Sequence, residues 1–120
     1  MIEIEPGDSF VVTVLFGGQL SIVDLTAFGP MLEEKLAGRE HIRIVFDWTG
    51  IDQWEVGTSD AAVWPHWRAV AQPVERVAII HERRWNRQAA LLAAMLRVNK
   101  IETRSWLPSA CSDALLWLRA

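Results

Sequence analysis

Ile2 and Ile4 alternate with Glu3 and Glu5, a period of two that predicts a short, half-exposed strand. Pro6-Gly7-Asp8 predicts a turn. Phe10 to Phe16 (FVVTVLF) is almost continuously apolar and β-branched, as a central strand covered on both faces would be, and Gly17-Gly18 predicts its end. From Ser21 the period lengthens. Leu25, Phe28, Leu32 and Leu36 fall on one helical face, and Ser21 with Asp24 has the spacing of a capping box. Gly29-Pro30 predicts a kink or two abutting helices, and Gly38 a C-terminal cap.

Ile42–Phe46 predicts a third, buried strand ending on Asp47. Gly50 to Gly57 reads as a loop carrying Trp54. Thr58, Ser59 and Asp60 are all good N-caps for a helix running to about Ala71, with Pro65 near its first turns and Pro73 closing it. Val77–His81 predicts a short strand, Trp85–Leu96 a helix, Ile101–Trp106 a strand, and Cys111 onward a terminal helix. The order is ββαβαβαβα. Strands alternating with helices imply βαβ crossovers, and hence an α/β fold with a mostly parallel sheet and helices on its faces.

At 120 residues the chain has the size of a single domain, spanning residues 1–120, and can bury a core without disulfides. The single Cys111 excludes an internal disulfide and a multi-cysteine zinc site. The acidic start lacks the basic-then-apolar plan of a signal peptide, and no apolar run approaches bilayer length, so a cytoplasmic location is expected. Charge is uneven. Residues 1–60 carry three Lys or Arg against eleven Asp or Glu, and residues 61–120 carry nine against four. Interleaved halves would cancel. Otherwise Arg83, Arg84, Arg87, Arg97, Lys100 and Arg104 form a basic patch for an acidic surface or a phosphate. The acidic net charge and the absence of a nucleic-acid motif argue against nucleic acid.

The most informative stretch is 42–67. Strand carboxyl ends gather at one edge of a parallel sheet, where ligands are commonly held, and this one is followed by Trp48, Trp54, Trp64 and Trp67. The spacing of Val63, Trp67 and Val70 puts Trp67 in the core. Trp48 and Trp54, placed in a loop, are expected at a ligand pocket or protein interface unless Trp54 plugs the core. The expected contact set is Asp47, Trp48, Trp54, Trp64 and His81. A Ser59–His81–Asp47 hydrolase would need a serine bonded to an imidazole that a carboxylate orients, and there is no Gly-x-Ser-x-Gly elbow. His66 and His81 with Asp47 or Glu82 lack metal-ligand spacing, so no metal or cofactor is expected. His41 reads as a surface residue and Cys111 as a packed small hydrophobe.

The element order resembles the STAS superfamily of sulfate transporters and anti-sigma-factor antagonists, and within it the small bacterial SpoIIAA-like branch. The resemblance is carried by Gly18-Gln19-Leu20-Ser21, Pro30–Leu36, Ile42–Phe46, Trp54, Glu75–Ile80, Trp85 and Ala114–Leu118. It implies a single SpoIIAA-like domain with a four- to five-stranded sheet, first strand antiparallel, packed by helices. It also implies a non-enzymatic regulator that binds partner proteins, and a likeness to CRAL-TRIO lipid-binding domains. Anti-sigma antagonists are phosphorylated on a serine in an Asp-Ser-Ser-Gly type motif at the start of the helix after the third strand. Gly57-Thr58-Ser59-Asp60 stands there, with the hydroxyls of Thr58 and Ser59 but not the flanking Asp and Gly. The functional expectation is a protein-interaction module, possibly self-associating, using the strand-end edge and residues 47–67. The alternative is a carrier or sensor of a small apolar or lipid-like ligand in a Trp-lined pocket.

Overall fold

The computed structural model describes residues 1–5 and 10–120; the expected Pro6-Gly7-Asp8 turn lies outside them. Five strands, β1 (Ile2–Glu5), β2 (Val11–Leu20), β3 (Ile42–Trp54), β4 (Val74–Ile80) and β5 (Glu102–Trp106), form one sheet in the order β1-β2-β3-β4-β5. β1 runs antiparallel to β2 and the other pairings are parallel, so the α/β architecture is as expected. The helices are α1 (Ile22–Leu36), the short α2 (Trp67–Val70), α3 (Asn86–Val98) and α4 (Cys111–Arg119).

Three successive crossovers of one hand advance across the sheet in one direction, so α1, α2 and α3 share a face. There Leu25, Phe28, Leu32, Trp67, Leu92 and Leu96 pack on Val12, Val14, Phe16, Ile44, Phe46, Val77 and Ile79. The chain then leaves β5 and lays α4 across the opposite face, on Val11, Val45, Ala78 and Ile80, through Ala114 and Leu118. The strand order never reverses. The crevice that a doubly wound sheet opens at its switch point therefore has no counterpart. The strands of the second half, β4 and β5, lie to one side of β1, β2 and β3, but α4 crosses back over Val11 and Val45, so the two halves of the chain interleave in space.

Several predicted boundaries move. Gly17-Gly18 does not end β2, and Asp47 does not end β3. The two strands continue together, with Gly17 opposite Gly50, Gly18 opposite Ile51, and register shifts on either side of that glycine pair. A Cβ on Gly50 would lie 3.1 Å from the Phe16 carbonyl oxygen, so the glycine permits the close approach that carries both strands onward. α1 is a single helix through Pro30. Its capping box is complete: Ser21 Oγ accepts from Asp24 N at 3.0 Å, and Asp24 Oδ2 accepts from Ser21 N at 3.1 Å. The predicted helix over 60–71 is instead a 3-10 turn at Ala61–Val63 and α2. Pro65 disfavours helical dihedrals at the residue before it, and Trp64 is extended (φ −84°, ψ 161°).

Candidate functional site

The aromatic stretch after β3's apolar segment is inside the protein. Trp48 and Trp54 lie on β3 itself, not in a loop. Trp48 is wholly buried, Trp64 and Trp67 nearly so, and Trp54 partly. Pairing with β2, which shifts register past Asp47 and resumes at Gly50, holds this part of the chain in the sheet, and alternation from Phe46 turns Trp48 toward the core. Ring centroids lie 5.0 Å apart for Trp48–Trp54, 6.0 Å for Trp54–Trp64, 6.4 Å for Trp64–Trp67 and 6.2 Å for Trp54–Trp85. Phe16 joins at 5.9 Å from Trp48 and leads on to Phe28 and Phe46. The result is a continuous wall of rings under the strand C-termini.

The wall is short of hydrogen-bond acceptors. Trp64 Nε1 donates to the Thr58 carbonyl at 2.7 Å. The Nε1 groups of Trp48, Trp54, Trp67 and Trp85 are buried without a protein acceptor among the described residues. Edge-on packing, as in Trp48–Trp54 at 74°, sets the electropositive edge of one ring against the π face of another and offsets part of that cost.

The expected contact set is divided by the sheet. Phe46 and Trp48 face α1–α3, so Asp47 between them projects to the α4 face. There Asp47 Oδ1 accepts from Thr49 N at 2.9 Å and Thr49 Oγ1 at 2.6 Å. His81 is buried on the Trp48 side, its ring 6.5 Å from that indole, with Nδ1 2.8 Å from the Glu82 carbonyl oxygen. Trp48, Trp64 and His81 are therefore packed inside the protein rather than at its surface. Asp47 and His81 lie on opposite faces, so the arrangement a Ser59–His81–Asp47 triad requires is not formed. His66 is exposed, and among the described residues no three His, Cys, Asp or Glu side chains gather as metal ligands.

The turn from β3 into Ala61 carries the hydroxyls. Thr58 is buried and its Oγ1 donates to the Glu55 carbonyl at 2.7 Å. Ser59 is exposed. The capping role falls to Asp60, whose Oδ1 accepts from Ala62 N at 3.0 Å. This turn is fastened to the start of α1: Ile22 N donates to Glu55 Oε2 at 2.9 Å, and a Cβ on Gly57 would stand 3.1 Å from Ile22 Cδ1. Beside that junction two apolar side chains face solvent, Val23 at 76% and Val56 at 93% exposure. Neither is legible in the sequence: Val23 merges with the apolar residues that open α1, and Val56 stands alone between Glu55 and Gly57.

The expected basic patch is partly engaged. Arg84 Nη2 donates to the Ile51 carbonyl at 2.9 Å, and its guanidinium stacks 4.7 Å from the Trp85 ring centre. Arg97 bonds the Thr103 carbonyl, and Arg104 lies 5.0 Å from the Trp117 ring centre. Two open clefts lie away from the Trp wall. One, of about 830 Å³, sits at the N-terminal ends of β3 and β4 among Glu33, Glu40, His41 and Glu75. The other, of about 660 Å³, lies between β1 and α1.

No curated protein matches the chain. Among solved structures, it is similar to an uncharacterised protein of the DUF3478 family with a SpoIIAA-like fold from Shewanella loihica PV-4. That match has 24% identity and a TM-score of 0.66, covering 98% of this chain and 92% of the other. The likeness shows a shared fold. A SpoIIAA-like family model matches residues 11–119, nearly the whole length. This chain belongs to the SpoIIAA-like family.

Proposed function

We propose that this domain is a non-enzymatic interaction module that docks a partner protein at the strand C-terminal edge, on the junction between the start of α1 and the turn at 55–60. The observation that carries this reading is the exposure of Val23 and Val56 on either side of the fastened Ile22–Glu55 contact. Exposed apolar side chains on a turn held by hydrogen bonds present a contact surface at little ordering cost. Trp54, Trp48 and Trp64 serve beneath it as a rigid backing rather than as contacts. The alternative of an apolar ligand among the tryptophans is less well supported, because the rings fill the space with one another. Ser59 lies on the same turn. A phosphate there would stand beside Asp60, and close to Glu55 in sequence, adding like charge to an apolar contact, so modification would oppose docking.

A photo-crosslinking residue at position 56 tests the reading in cells expressing the protein. A discrete protein adduct is expected, lost in Val23→Glu. Adducts equally strong with and without that charge would refute it. Kinase treatment followed by mass spectrometry should find phosphate on Ser59 and none on Thr58 if the turn is also a switch.

A further inference from the structure

The sheet has two edges, and they are finished differently. On β5, Trp106 turns its carbonyl inward to His81 N, so alternation turns the backbone of Thr103 and Ser105 outward. The outward Thr103 carbonyl is taken by Arg97 Nη2 at 2.8 Å, and charged Glu102 and Arg104 flank it. Capped carbonyls and charged side chains are how natural sheets blunt an edge.

β1 also carries charge, in Glu3 and Glu5, but among the described residues no side chain caps its outward backbone. Met1 and Gly17 exchange two backbone bonds, at 2.8 and 2.9 Å. Antiparallel pairing alternates, so Glu3 and Glu5 also bond β2 while Ile2 and Ile4 turn N–H and C=O outward. Among the described residues no strand pairs with that side. Instead it borders the cleft of about 660 Å³, lined by Ile2, Glu3 and Ile4 from β1, by Met31, Glu34 and Lys35 from α1, and by Arg39 beyond it. Met31 is 41% exposed there.

We propose that β1 and α1 form a peptide-binding groove that works by strand addition. Its ligand is an extended partner segment in which apolar residues alternate with Lys or Arg. A strand laid about 4.8 Å outside β1 would bond the free N–H and C=O of Ile2 and Ile4. Ile2 and Ile4 face the helix side, packed against the core, so the added strand's residues on that side meet Ile2, Ile4 and Met31. Its other residues stand beside Glu3 and Glu5, both exposed on the opposite face, whose carboxylates favour cations. The same two carboxylates disfavour a second copy: antiparallel β1–β1 pairing would bring Glu3 and Glu5 of both chains into one row. This groove uses none of the residues of the strand-end surface, so either assignment can fail alone.

Fluorescence anisotropy with a labelled Val-Lys-Val-Arg-Val peptide tests it. Ile4→Pro removes an outward N–H while sparing the bonds to β2. Saturable binding is expected, weakened about tenfold by Ile4→Pro, the worth of one hydrogen bond. Glu3→Lys combined with Glu5→Lys should invert the preference toward Val-Glu-Val-Glu-Val. Should Ile4→Pro disturb the fold, N-methylating alternate residues of the peptide provides the control, and binding to the unaltered protein should then vanish. No saturation at millimolar peptide, binding indifferent to both backbone blocks, or a dimer that Ile4→Pro dissolves would each overturn the proposal.

Discussion

The two faces of this sheet are built from alternate residues of the same strands, yet they are closed by different chemistry. On the α1–α3 face, large rings do the work: Phe16, Phe46, Trp48, Trp64 and Trp67 bury against one another with few hydrogen bonds. On the α4 face, a nine-residue helix is held largely by arginines from the strands. Arg43 Nη1 donates to the Leu118 carbonyl and Arg76 Nη1 to the Trp117 carbonyl, both at 2.6 Å. The Trp117 ring lies between the guanidinium groups of Arg76, at 5.3 Å, and Arg104, at 5.0 Å. Carbonyls at a helix C-terminus have no partners within the helix, and cations there also meet the negative end of its dipole. A short helix with a narrow apolar stripe can thus be fixed by its end, whereas a wide face must be filled by volume.

Breaking the larger face should cost most. Trp48→Ala removes a wholly buried indole at the centre of the ring wall and should lower unfolding free energy by about 3–5 kcal/mol, read from denaturant midpoints. Arg76→Ala strikes the other face. It deletes the bond to α4, the stacking on Trp117 and the ion pair with Glu102, for about 2 kcal/mol. Its signature should be local: hydrogen exchange should quicken in α4 while α3 amides stay protected. Equal acceleration in both helices would mean that the faces are not separable.

Smaller effects sharpen the contrast at the rim. Ser21→Ala should cost about 1 kcal/mol by opening the capping box of α1. Asp24 adds a pH dependence. Burial pushes its carboxyl pKa upward, but the backbone N–H and hydroxyl of Ser21, with the chain's amino group, outweigh this and hold it below the ordinary value of 3.8. Its stabilising contribution is therefore complete above the unfolded value and is lost as pH falls through the lower folded one. The midpoint difference between the natural protein and Asp24→Asn should accordingly shrink toward zero in strong acid. Val56→Ser should be the mildest change, within about 0.5 kcal/mol in stability, and visible only in partner capture.

Much of this architecture is legible in the chain. The helix over 22–36 announces itself through Ser21, Asp24 and the spacing of Leu25, Phe28 and Leu32. The apolar runs at 11–16 and 42–46 mark central strands. The rings are harder to read. Trp48 follows a charged residue and precedes Thr49-Gly50, a local pattern that suggests a loop. The pairing of Gly17 with Gly50 carries the strand onward, and alternation from Phe46 then turns Trp48 inward. Asp47 and His81, candidates for one site on sequence grounds, lie on opposite faces because strand alternation separates them. Val23 and Val56 are far apart in sequence. They come to one junction because the end of β3 pairs with the end of β2 and Glu55 bonds both the Leu20 carbonyl and Ile22 N.

The sequence by itself determined the elements, their order, the capping of α1 and the uneven charge, because propensity, periodicity and capping act within a few residues of each other. Tertiary structure decided how far β2 and β3 run and which side each tryptophan takes. It also decided that one sheet edge is capped by Arg97 while the other lies open beside α1. Those outcomes depend on which backbone groups and glycines meet across the sheet, contacts between residues tens of positions apart that no local pattern encodes.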